Sequence, residues 1–129
     1  MTFSLCGRRV SIDYLFFALL AFLLFWDQQH VVLPGLAAAL CHEAGHIVAI
    51  VAQGVPVRSI HVTAFGIDLA CRQRPRAGYW QDALLSLAGP FANLFCCALC
   101  LIFHEQNSGF FQGNLLLAAF NLLPVESLD

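Results

Sequence analysis

The sequence predicts an all-α membrane protein: a polytopic bundle of about four transmembrane helices with a short cytoplasmic-side β-hairpin between spans two and three, in a single domain over residues 1–129. Three observations lead there. Of the 129 residues, 60% are hydrophobic and 11% charged, with a mean hydropathy of +0.76, far too apolar for a soluble domain of this size. Four apolar stretches approach the roughly 20 residues that a helix needs to cross a bilayer. The six basic residues are all arginines and occupy only two segments of the chain.

The first stretch, Val10–Trp26, follows a basic start as a secretory leader would, but "WDQQH" after it lacks the small-residue pattern of a cleavage site, so it reads as a retained span. The second, Pro34–Gln53, has punctuation to match, with proline suited to a first helical turn and Gly54 to a C-terminal stop. Between spans two and three, "RSIHVTAFGIDLAC" alternates Ile60, Val62, Ala64 and then Ile67, Leu69, Cys71, the pattern of a short hairpin. Spans three and four follow at Trp80–Phe103 and Phe110–Leu123. Arg8 and Arg9 precede span one, and Arg58, Arg72, Arg74 and Arg76 lie between spans two and three. Positively charged loops stay in the cytoplasm, so the N-terminus is expected there, with four crossings returning the C-terminus to the same side.

A net charge of -2 with no lysine argues against nucleic acid as a partner. The lipid bilayer is the partner that the composition implies. Of the six cysteines, Cys41, Cys96, Cys97 and Cys100 fall inside predicted spans and read as free, buried thiols rather than a disulfide framework.

The chemistry sits in "CHEAGH". His42 and His46 are four residues apart and project from one helix face, with Glu43 about 100° round from His42. This is H-E-x-x-H, in which two neutral imidazoles bind zinc and the glutamate serves as general base toward water. Ionisable groups at membrane depth cost about 2.5–3.5 kcal/mol each. Three within five residues therefore call for a compensating metal, pairing or water. A buried polar cluster that only glues helices together is the plainer reading, but cheaper side chains serve that purpose. Catalytic zinc takes a third protein ligand and keeps one position open. Asp13, His61, Asp68, Asp82, His104, Glu105, Glu126 and Asp129 carry suitable groups, and most lie at span ends or in loops. Depth favours the carboxylates near the inner end of span four without separating Glu126 from Asp129.

"LCHEAGHIVAI", then "SLAGPFANLFCCALCLI", then "FNLLPVESLD" resemble, in order, the three motifs of the site-2 protease family of intramembrane zinc metalloproteases, in its compact sporulation-type branch. The resemblance covers the chain from about Leu36 to its end. It implies Zn²⁺ held by His42, His46 and Asp129, Glu43 as the catalytic base, and Asn121 as a substrate-binding residue. Asn93, in "GPFAN", is read as structural, helping to position the helices. Where the family commonly has Pro-Leu-Asp-Gly, this chain has Ser127-Leu128-Asp129 and stops, which reads as a C-terminus truncated at the proposed ligand.

The expected function is zinc-dependent hydrolysis of a peptide bond in or near a transmembrane segment of a membrane-tethered protein, as in regulated intramembrane proteolysis. The resemblance implies a multi-pass protein of a bacterial cell membrane. A regulatory membrane partner is left unidentified by the sequence. The competing expectation is an inactive or truncated membrane scaffold of the same fold. A metal-ion transporter is disfavoured, because no file of ligands leads across the membrane.

Overall fold

The computed structural model describes residues 2–5, 8–54, 57–63, 66–71 and 78–123. Its elements in chain order are β1 (Thr2–Leu5), β2 (Arg8–Ile12), α1 (Tyr14–Trp26), α2 (Val32–Ala52), β3 (Val57–Thr63), β4 (Gly66–Cys71), α3 (Tyr79–Ile102) and α4 (Gly109–Leu122). The chain divides into two compact units, one holding the sheet, α1 and the end of α2, the other holding Leu33–Ala49 with α3 and α4.

The expected fold holds in part: the described residues are mostly helical, in four helices, but they also form a four-stranded sheet of order β1-β2-β3-β4 where only a hairpin was expected. The expected hairpin is present as β3 and β4, with Ile60 opposite Leu69 and Val62 opposite Ile67. A two-stranded hairpin is marginal alone, and here β2 runs parallel to β3, with Val10 opposite Ile60 and Ile12 opposite Val62. β1 adds an antiparallel partner to β2. Span one is corrected accordingly. Val10–Ile12 belongs to β2, where Arg9-Val10-Ser11-Ile12 alternates with period two, and Asp13 then caps α1, its side chain accepting from the Leu15 N–H at 3.4 Å. Parallel strands need a long crossover. Here α1 and α2 supply it, and the basic N-terminal segment and the connection after α2 share one sheet.

The other helix bounds fall within two residues of the apolar stretches. α2 ends at Gly54, which takes φ +69, a left-handed conformation open to glycine without a Cβ clash. Ser108 caps α4, its hydroxyl accepting from Phe111 N–H at 3.2 Å. α2 and α3, with 21 and 24 residues, are long and apolar enough to cross a membrane, reaching about 31 and 36 Å against a hydrocarbon core of about 30 Å. α1 and α4, with 13 and 14 residues, reach about 20 Å.

Packing in the helical unit inverts that of a soluble core. The described residues out of solvent are small or polar, among them Ala38, Gly89, Asn93, Cys97, Cys100, Asn114 and Ala118, while Phe91, Phe95 and Ile102 lie exposed. Small residues at helix contacts with large apolar ones facing outward are what lipid solvation selects.

The turn between α1 and α2 depends on one carboxylate. Asp27 accepts from Val31 N–H at 3.0 Å and from Val32 N–H at 2.9 Å, satisfying donors that open α2 and lack helical partners. The Val32 bond is the largest cause holding the Asp27 carboxyl below its ordinary value; desolvation opposes it and the Val31 bond adds to it. Because the folded-state pKa is the lower one, this contribution is present above the ordinary aspartate value of about 3.9 and is lost as pH falls through the folded-state value. Amide exchange at Val31 and Val32, corrected for intrinsic rate, should accelerate as pH drops below about 4 and be fast at every pH in Asp27→Ala. Identical exchange in the two proteins would remove Asp27 from the turn.

Candidate metal centre

The site lies within the helical unit, on the facing sides of α2 and α3. His42 and His46 project from one face of α2 with ring centroids 4.8 Å apart, and their Nε2 atoms stand 3.1 Å from each other. The room between them comes from α3. A Cβ at Gly89 would lie 2.4 Å from His46 Nε2 and 2.6 Å from His42 Nε2, so only glycine leaves both nitrogens clear. One turn along, a Cβ at Gly45 would meet the Ala88 carbonyl oxygen at 2.5 Å and the Ala92 Cβ at 2.7 Å. Glycine on each helix thus sets the approach of the other.

Hydrogen bonds assign the tautomers. His46 Nδ1 is 2.8 Å from the Leu85 carbonyl. A carbonyl only accepts, so Nδ1 carries the proton and the lone pair of neutral His46 sits on Nε2. Pro90 follows in the next turn and has no N–H to offer the Ser86 carbonyl, so α3 is already irregular in donors where it meets the histidine. His42 Nδ1 is 3.2 Å from the Asn93 amide nitrogen, and Asn93 is fully buried.

The Asn93 Oδ1 has no hydrogen-bond partner. With the amide nitrogen donating to His42 Nδ1, His42 carries its proton on Nε2 and donates to His46. Exchanging the amide's oxygen and nitrogen, which are nearly isosteric, lets Oδ1 accept from His42 Nδ1–H instead. Both Nε2 lone pairs then meet at one point. Metal-ligating histidines almost always give their second nitrogen such a partner. Convergent Nε2 atoms, the opening at Gly89 and the orphaned amide oxygen therefore fit a bound divalent metal with imidazole ligands.

Glu43 lies between the histidines on α2 and is partly buried. Among the described residues no third histidine, cysteine, aspartate or glutamate completes a metal-binding group, and Glu126 and Asp129 lie outside the described residues. The other carboxylates and histidines considered as third ligand are placed elsewhere. Asp13 caps α1. His61 in β3 bonds Ser11 and, at 3.3 Å, Ser59, with Asp68 opposite it in β4. Asp82 is in the first turn of α3, while His104 and Glu105 form the turn before α4. Asn121 is exposed near the end of α4, and its amide donates to the Leu117 carbonyl at 2.8 Å.

Asn93, read from the sequence as structural, has a partner the sequence did not name, His42. The available signal was its position one turn after Gly89, on the same face of α3. Replacing it by leucine should weaken zinc binding by about 10–100-fold, measured by competition with a chelating dye. Unchanged affinity would reduce Asn93 to packing.

No protein-family model matches the chain. A curated protein of Synechocystis sp. described as "Putative zinc metalloprotease" is 33% identical over 103 residues, a match covering 72% of this chain and 27% of that protein. This chain thus spans about a quarter of the length of the relative it matches, and over that part it is similar to a protein named for zinc-dependent proteolysis.

Proposed function

We propose that this chain is the metal-binding core of an intramembrane zinc metalloprotease of the site-2 protease type, in the compact sporulation-type branch, hydrolysing a peptide bond in or near a transmembrane segment of a membrane-tethered protein. The observation that carries the reading is the 3.1 Å convergence of the His42 and His46 Nε2 atoms on a helix apolar and long enough to cross a membrane. The exposed aromatic and aliphatic surface of α1 and α3 supports lipid as its surroundings, since soluble monomers rarely expose contiguous apolar area of that kind. In this reading α1 and α4 lie in the membrane too, the N-terminus is cytoplasmic, and the membrane is a bacterial cell membrane.

His42 and His46 would hold Zn²⁺, with Asp129 as third ligand. Bound there, zinc supplies Lewis acidity to the scissile carbonyl and to water. Glu43 takes the proton from the attacking water and delivers it to the leaving amine. Asn93 and the Leu85 carbonyl hold the two imidazole rings in place. A helical substrate hides its carbonyls and must unwind before it is cut, and an extended segment can add to the edge of a sheet. β3 is paired on both sides, so such an added strand would use the outer edge of β1 or β4; Asn121 would be a substrate contact.

Elemental analysis of the purified chain in mild detergent, equilibrated with zinc and desalted, tests the reading. Zinc near one per chain is expected, falling toward zero in His46→Ala. Zinc near zero in the unaltered chain would overturn the proposal for this chain and leave the membrane scaffold.

A further inference from the structure

α2 and α3 run antiparallel, and their contacts form a ladder. His46 meets Leu85, Gly45 meets Ala88 and Ala92, and His42 meets Asn93. One turn before Gly45 is Cys41, and one turn after Ala92 is Cys96. The ladder sets them opposite each other, with their side chains adjacent. Both are free and partly accessible, whereas Cys97 and Cys100 are buried. Cys97 is turned away toward α4, its thiol 3.8 Å from the Phe111 carbonyl.

We propose that Cys41 and Cys96 are an oxidisable dithiol, a modification site at which a peroxide-class oxidant joins α2 to α3 by a disulfide. One thiol is oxidised by hydrogen peroxide to a sulfenic acid, releasing water. The second thiol attacks that sulfur, an S–S bond forms, and hydroxide leaves with the thiol proton as a second water. Two thiols are oxidised and one peroxide is reduced to two waters. The bond closes a loop from residue 41 to residue 96 and tethers the helix bearing His42 to the helix bearing Asn93. It requires only the contact between these cysteines, so it stands whether or not the chain hydrolyses peptides.

The test uses the full chain in mild detergent, reduced, desalted, and exposed to hydrogen peroxide before free thiols are blocked and peptides are mapped by mass spectrometry without reduction. The expected product is a linked Cys41–Cys96 peptide as the main disulfide, reversed by reductant, with a raised thermal unfolding midpoint. The link should vanish in Cys96→Ser and persist in the double variant Cys97→Ser, Cys100→Ser, which leaves the proposed pair intact. Oxidation of Cys41 and Cys96 only to sulfinic and sulfonic acids, or a main disulfide that includes Cys97 or Cys100, would overturn the proposal.

Discussion

Glu43→Gln should lower peptide hydrolysis by about 10²–10⁴-fold, the range that a positioned general base supplies, while zinc content stays at its unaltered value. Glutamine keeps the shape and polarity of glutamate but cannot accept a proton at neutral pH. The imidazoles of His42 and His46 are oriented from α3, by Asn93 and the Leu85 carbonyl, so a change at Glu43 leaves their support in place. The measurement pairs zinc analysis with single-turnover cleavage of a fluorogenic peptide whose scissile bond lies in a helix-breaking apolar segment. Cleavage undiminished in Glu43→Gln would assign the base to another group. Loss of zinc together with activity would make Glu43 part of the site's support instead.

Gly89→Ala should remove metal binding by a different route. The added methyl group would stand 2.4 Å from His46 Nε2 and 2.6 Å from His42 Nε2, well inside van der Waals contact, so at least one ring must leave its position. Losing an outer partner of a ligand costs about 10–100-fold in metal affinity. Displacing the ligands should cost more than about 100-fold on that scale. Alanine is the better helix former by about 1 kcal/mol, so α3 should keep its helicity and the loss should appear in zinc titration but not in circular dichroism. Unchanged zinc affinity would mean that the histidines do not meet at Gly89.

Helices α2 to α4 were legible because their boundaries are written locally. Gly54 ends α2 by its backbone freedom, Ser108 opens α4 with its hydroxyl, and the apolar runs of α2 and α3 have the length of a bilayer. The pairing of His42 with His46 was legible because a four-residue spacing puts two side chains on one face of any helix. β1 and β2 were not, because a short alternating segment beside a long apolar run reads as the start of that run, and its partner β3 lies beyond two helices. The partner of Asn93 was not legible for a related reason. An asparagine in an apolar helix is equally consistent with helix association and with ligand support, and only the register of α3 against α2, set at Gly45 and Gly89, decides which atom it meets.

The parallel pairing of β2 with β3 also bears on how the protein is made. Ser11 and His61 are neighbours across the two strands although 50 residues separate them. At about 5–20 residues per second, β2 leaves the ribosome roughly 3–10 seconds before its partner exists. During that interval β1 can cover one edge of β2, while the other stays open to any passing strand. The sheet closes only after α1 and α2 have been synthesised, which makes it a late step of biogenesis. The completed sheet then joins chain made before α1 to chain made after α2, a staple set only once both strands exist.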